Sequence, residues 1–281
     1  MQVIADPSGF RAAATSAGKP LVLVPTMGAL HEGHRALIRK ARELAGPGGT
    51  VAVSIFVNPI QFDRANDLAA YPKPLEADLV ACEAEGADLV FTPEAGAMYH
   101  PDRSVTVTES LLSRNLCGAT RPGHFDGVCT VVLKLFLLSG ADSAVFGEKD
   151  FQQLAVIRRM VRDLDVLVEI IGHPTIREDD GLAMSSRNVR LLPEHRADAP
   201  RIRRSLIAAR DLLGGGERPS AALLAAARAG IEDSPFARID YLELVDAENL
   251  QPVERVERPA VLATAVFYGE VRLIDHITLR P

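Results

Sequence analysis

The chain has 281 residues, 47% of them hydrophobic and 24% charged, a balance that supports one large domain or two unequal ones and excludes a disordered chain. Its formal net charge of −6 leaves no overall field to draw it to nucleic acid or an anionic membrane. No apolar run approaches the ~20 residues that cross a bilayer, and the N-terminus lacks the apolar stretch of a signal peptide. Cys82, Cys117 and Cys129 lie far apart without metal-ligand spacing, which predicts reduced, buried thiols and a cytoplasmic protein.

In chain order, LVLVP (21–25) reads as a buried strand. Gly33 to Ala45 reads as an amphipathic helix, with Leu37, Ile38, Ala41, Leu44 and Ala45 inward and Arg35, Arg39 and Arg42 outward. TVAVSIFV (50–57) is the next strand, then a helix over 75–86 closed by Gly86, and the strand DLVFT (88–92). VCTVVLKLFLLS (128–139) is apolar nearly all round and reads as a buried helix. SAVFG (143–147), a helix over 150–163 and VLVEIIG (166–172) complete the alternation. Such alternation predicts an α/β domain over 1–175, a Rossmann-like, doubly wound parallel sheet with ligands beyond the carboxyl ends of its strands. From 176 to 281 the texture changes. Helices near 200–213 and 219–230, the first restarted at Pro200, precede strands at 238–246, 260–269 and 270–279, which predicts a smaller α+β domain.

Three segments that follow strands carry chemistry. In Pro25-Thr26-Met27-Gly28-Ala29-Leu30-His31-Glu32-Gly33-His34 a strand gives way to a helix start, where free backbone N–H groups and the helix dipole are expected to face an anion. Gly28 and Gly33 let a phosphate or adenine ring come close, and two imidazoles three apart can donate to phosphate oxygens. The alternative is that His31 and His34 cap the helix. Zinc proteases require ligands four apart, and the phosphate loop of P-loop enzymes requires Gly-Lys-Ser/Thr, so neither pattern applies. Gly147-Glu148-Lys149-Asp150 places a lysine within reach of a polyphosphate, while Asp150 suits a helix cap better than a metal. Asn58-Pro59-Ile60-Gln61-Phe62 and Gln152-Gln153 offer neutral amides for a small substrate bearing hydroxyl and carboxylate groups. In the loop Met184-Ser185-Ser186-Arg187, two hydroxyls and a guanidinium form a phosphate clamp, expected to be mobile and to close over ATP.

HEGH resembles the His-x-Gly-His signature of the nucleotidyltransferase and class I aminoacyl-tRNA synthetase superfamily, and MSSR its second signature loop. The fuller set, PTMGALHEGH, VSIFVNPIQF, RPGHFDGVCTVV, VFGEKDFQQL and REDDGLAMSSRN, resembles the pantoate–β-alanine ligases in order from residue 25 to 188. The resemblance implies a two-step ligation in the cytoplasm. The carboxylate of (R)-pantoate attacks the α-phosphorus of ATP, and the amine of β-alanine then displaces AMP from the pantoyl adenylate. It implies that Met27, Gly28, Ala29, Leu30, His31, Glu32, Gly33 and His34 line the ATP site, His34 bonding the phosphates in the transition state. Glu148 and Met184 belong to the ATP-binding segments. Lys149 and Arg187 neutralise phosphate charge, and Ser185 and Ser186 bind it. Gly147, Asp150 and the backbone of Ile176 contact the nucleoside, and Gln61 and Gln153 hold pantoate, Gln61 also lying near β-alanine. Mg²⁺ is implied with ATP, and Asp78 is the remaining candidate ligand in an acidic run interrupted by Ala77. A homodimer is implied as well.

Two rival readings are a nucleotidylyltransferase, on HEGH alone, and an RNA-binding module, on the basic cluster Arg196, Arg201, Arg203, Arg204 and Arg210.

Overall fold

The computed structural model describes residues 1–281, which divide into two compact units. The first comprises Met1–Glu109, Pro122–Glu148 and Val156–Pro174. The second comprises Ser110–Arg121, Lys149–Ala155 and Thr175–Pro281. Two short segments ahead of Thr175 therefore group with the C-terminal unit.

Six parallel strands build the first unit: β1 (Gln2–Ile4), β2 (Leu21–Thr26), β3 (Thr50–Ile55), β4 (Leu89–Phe91), β5 (Ser143–Gly147) and β6 (Glu169–His173), in the order β1-β4-β3-β2-β5-β6. Leu21, Val22, Leu23 and Val24 are all fully buried, because β2 is central and covered on both faces. That is why it reads as a continuous apolar run instead of an alternation. From β2 the chain winds outward through β3 and β4, then returns to lay β5 against the other side of β2. The strand order reverses there, and crevices for ligands open at such a point beyond the carboxyl ends.

The helix Glu32–Ala45 buries Ala36, Leu37, Ile38, Ala41 and Ala45 on the sheet and stops at Gly46, whose φ is 65°. Arg42 departs from the expected outward face: its guanidinium bonds the carbonyls of Gly46 at 2.6 Å and Gly49 at 2.7 Å, closing the helix end. The long apolar helix starts at His124, four residues earlier than its apolar run suggests, and ends at Ser139. β6 starts later than expected, since Asp165 turns at φ 50° and Leu167 is 94% exposed. The first strand and the helix Pro7–Ser16, capped by Asp6, were not anticipated.

The second unit has an antiparallel sheet, β7 (Ala237–Asp246), β8 (Ala260–Tyr268) and β9 (Val271–Leu279), in that order. Helices Arg201–Gly214 and Ser220–Glu232 share its core through Ile202, Leu206, Leu223, Leu262 and Leu273. Pro193–Asp198 is a separate short helix, and Pro200 stands at the cap position of the next, as the proline spacing predicts.

On β9 the side chains alternate, so Asp275 points inward and His276 to the other face. His276 lies 5.2 Å from the Phe151 ring, and its buried Nδ1 has no hydrogen-bond partner. Burial first, then Arg177 and Arg203, holds its pKa below the ordinary 6.5, against the opposing pull of Asp275 and Asp150. A base with a depressed folded pKa contributes stability that is complete above 6.5 and is lost as pH falls through the folded value. The stability difference between His276→Phe and wild type should therefore move in the variant's favour between about pH 7.5 and about pH 5. Thermal melts across that range check it, and a pH-independent difference would rule out His276 as the titrating group.

Candidate active site

Motifs follow three neighbouring strands of the first unit: the HEGH turn after β2, NPIQF after β3 and GEKD after β5. The turn after β2 is held from two sides. Thr26 Oγ1 donates to Ser54 O at 2.7 Å and accepts from Gly28 N at 3.2 Å. The Asp78 carboxylate accepts from Ala29 N at 2.9 Å through Oδ2 and from Leu30 N at 2.7 Å through Oδ1. Gly28 sits at φ 81°, and a Cβ there would come within 2.8 Å of Asp78 Oδ2 and 3.0 Å of Ile55 Cγ2, so only glycine fits.

Both histidines then cap the helix. His31 Nδ1 accepts from Gly33 N at 3.1 Å, and His34 Nδ1 accepts from His31 N at 3.4 Å, with the rings 4.1 Å apart. A ring nitrogen that accepts from a backbone N–H carries no proton, so each neutral imidazole carries its proton on Nε2. Capping and ligand binding are thus compatible, because they use opposite ring nitrogens. The expectation of free backbone N–H groups is corrected here. The amides of Gly28, Ala29, Leu30, His31 and Gly33 are all bonded within the protein.

After β3, Asn58 Nδ2 donates to Gln61 Oε1 at 2.9 Å and Gly127 O at 3.1 Å, while Gln61 Nε2 lies 3.1 Å from Met27 Sδ. Buried His124 bonds Gln61 O through Nδ1 at 2.7 Å. Gly127 lets the helix His124–Ser139 approach, since a Cβ there would fall 2.5 Å from Ile60 O. The HFDG sequence marks this contact.

In the second unit, Lys149 and Ser185 line one small cavity with Asp275, so the GEKD and MSSR segments meet. Lys149 Nζ is 3.9 Å from Asp150 Oδ2. Residues 176–184 form a tight hairpin: Met184 N donates to Ile176 O at 3.0 Å and Glu178 N to Leu182 O at 2.8 Å. Arg177 pairs with both oxygens of buried Asp275 at 2.8 and 2.9 Å, and Arg196 bonds Glu178 and Asp180 at 2.5 and 2.6 Å. Ser185 Oγ accepts from Arg187 N at 3.2 Å, starting the turn that follows. Gln152 is structural, donating to the carbonyls of Leu112 and Asn115 at 2.8 and 2.7 Å, and Gln153 lies on a less buried face of its helix.

A sequence model of pantoate-beta-alanine ligases matches residues 2–278. The chain belongs to the pantoate–β-alanine ligase family. It is 56% identical over 259 residues to the pantothenate synthetase of Akkermansia muciniphila, covering 92% of each chain. The crystal structure of the Thermus thermophilus pantothenate synthetase superimposes with a TM-score of 0.93 at 43% identity, covering 100% of both chains. The Francisella tularensis pantoate-β-alanine ligase, solved with β,γ ATP and β-alanine, gives 0.79 at 31% identity, covering 99% of this chain and 97% of that one.

Within this ligase, Asp78 has another task than the metal ligation expected of it. It is 2% exposed, and both oxygens are engaged by the turn. No group of three or more His, Cys, Asp or Glu side chains converges as a metal site. The basic cluster of the RNA-binding reading is largely paired: Arg196 with Glu178 and Asp180, Arg201 with Asp198 and Asp233, and Arg210 with Asp211. Tyr99, whose hydroxyl meets Asn58 Oδ1 at 2.7 Å, was not foreseen, and only the short segment MYHP would have pointed to it.

Asp78→Ala should leave the amides of Ala29 and Leu30 without a partner, at about 1–3 kcal/mol for each buried group. Asp78→Asn keeps one acceptor and should cost less. Chemical denaturation of both variants measures the order, and equal stabilities would contradict the two-amide role.

Proposed function

We propose that this chain joins (R)-pantoate to β-alanine with ATP through a pantoyl adenylate. The observation that carries the reading is the histidine pair at the helix start after β2, whose Nδ1 atoms hold the turn while the Nε2–H donors remain on the other side of each ring. Family membership and the ATP- and β-alanine-bound structure of the Francisella tularensis relative support the same reaction.

In the first step a pantoate carboxylate oxygen bonds to the α-phosphorus as the bond to the bridging oxygen of pyrophosphate breaks. Negative charge grows on the α-phosphoryl oxygens and the departing pyrophosphate, so fixed donors aimed there lower the barrier. His34 is the catalytic donor in this proposal, with His31 and the segment Met27–Gly33 forming the ATP cradle. Lys149 and Arg187 offset phosphate charge, Ser185 and Ser186 bond it, and Glu148 and Met184 belong to the same binding segments. Gly147, Asp150 and the Ile176 backbone meet the nucleoside. Gln61 and Gln153 hold pantoate. In the second step the β-alanine nitrogen bonds to the acyl carbon, the bond to the AMP oxygen breaks, and the amine gives up a proton.

Mg²⁺, where ATP carries it, would supply charge neutralisation for the departing pyrophosphate. The side chains fit an ion carried by substrate, since Asp78 holds the turn and no carboxylate cluster is present. We place the enzyme in the cytoplasm as a homodimer. All three cysteines are buried and unpaired, and no helix is long and apolar enough to cross a membrane. Residues 104–109 lie outside any helix or strand, with Val105 78% exposed, a surface that a second copy can cover.

Pyrophosphate–ATP exchange should require pantoate and proceed without β-alanine. Exchange that is independent of pantoate would refute the reading. His34→Ala should slow single-turnover adenylation by about 10²–10³-fold, the scale for losing one transition-state donor. Unchanged adenylation would remove His34 from the chemistry.

A further inference from the structure

Ser185, Ser186 and Arg187 lie between two anchors in the second unit. On one side stands the 176–184 hairpin, where a β-bridge joins Arg177 to Ala183 and Met184 N donates to Ile176 O at 3.0 Å. On the other side stands Asn188, whose backbone N–H donates to Ser185 O at 3.0 Å. Its side chain crosses back to the hairpin: Nδ2 donates to Glu178 Oε1 at 2.7 Å and to Ala183 O at 3.1 Å. A carboxylate and a carbonyl can only accept, so both Nδ2 protons are committed and the amide has one orientation. Oδ1 is left buried without a hydrogen-bond partner. A flipped amide would set that oxygen against two acceptors, so the orphaned Oδ1 is the lesser cost. Glu178 is fixed in turn, since Oε2 accepts from Arg196 Nη2 at 2.5 Å, and Arg196 Nη1 donates to Asp180 Oδ2 at 2.6 Å. The bond from Asn188 to the carboxylate is the charge-assisted one and the stronger of its two.

We propose that Asn188 is a positioning residue: its amide, gripped by Glu178 and the Ala183 carbonyl, latches the Ser185–Arg187 turn to the hairpin, so that the turn meets a polyphosphate in one arrangement. The task given to the turn rests on the function proposed above, whereas the latch itself does not. Without the latch the turn keeps its local bonds, from Asn188 N to Ser185 O and from Arg187 N to Ser185 Oγ. It loses its tie to the hairpin, and ATP must then order it on binding, at the expense of affinity.

The test uses the full-length enzyme. In Asn188→Leu, which keeps the bulk of the side chain and removes the donor, the backbone amides of Arg187 and Asn188 should exchange with solvent at least about tenfold faster than in wild type. The hairpin amides of Glu178 and Met184 should keep their wild-type rates. In pyrophosphate–ATP exchange the same variant should raise KM for ATP about tenfold, the scale of one hydrogen bond to a charged group, with KM for pantoate unchanged. Because leucine adds no charge, this defect separates the latch from repulsion of ATP. Asn188→Asp sets a second carboxylate against Glu178 and should be at least as impaired. Adding Glu178→Gln should bring it to within about threefold of wild type, since the introduced amide can donate to the introduced carboxylate while its oxygen accepts from Arg196. This pair is the second probe should Asn188→Leu fold poorly. Unchanged amide exchange in Asn188→Leu would overturn the latch, as would a double variant no better than Asn188→Asp. Hairpin amides that speed up together with those of the turn would reduce Asn188 to a structural residue. A wild type without pantoate-dependent pyrophosphate exchange would sink the proposed function, while the amide rates still decide the latch.

Discussion

The Asp78 carboxylate, bonded to the amides of Ala29 and Leu30, is the contact on which the turn after β2 depends. Ala29 is held at φ 52°, a conformation that a residue with a Cβ adopts only when its surroundings hold it there. Burial raises the Asp78 pKa, while the two amide bonds favour its charged form. The turn and the carboxylate therefore stabilise each other: each would be costly to bury alone. With the turn fixed, the helix begins at Glu32 and His31 reaches its capping position.

Donor direction is set twice in the first unit by the same physics. At the helix start, backbone N–H groups occupy the Nδ1 atoms and leave the ring protons on Nε2. At Asn58, the Gly127 carbonyl occupies Nδ2 and passes the orientation to Gln61. In both cases a rigid backbone group dictates the polarity of a side chain that on its own has two equivalent states. Such a site needs little reorganisation as charge develops, the property that makes fixed dipoles effective in catalysis.

Much of the fold was legible because burial leaves strong patterns. β2, β5 and the helix Glu32–Ala45 were placed within a residue or two, since central parallel strands read as apolar runs and amphipathic helices as stripes. β1 escaped because three mostly exposed residues at a sheet edge carry no periodicity. The grouping of residues 110–121 with the second unit was invisible for another reason: it depends on long-range bonds such as Asn115 to the Leu250 carbonyl. Residue types and spacing singled out the histidines, Lys149 and the serines as candidates. Hydrogen-bond bookkeeping was hidden, so the turn amides read as available to an anion although the protein already engages them. Asp78 read as a metal ligand for the same reason, because nothing local reveals that its partners lie 49 and 48 residues away.

The second unit holds its hairpin at 176–184 differently, with charge pairs in place of backbone caps. Arg177 on Asp275 is a bidentate pair with a buried carboxylate, and Arg196 spans Glu178 and Asp180. Buried pairs of this kind contribute little net stability but resist rearrangement, since separating them strands a charge. They brace the 176–184 hairpin immediately before Ser185, Ser186 and Arg187. Arg177, Arg196 and Arg201 are in this way committed to ion pairs within the second unit.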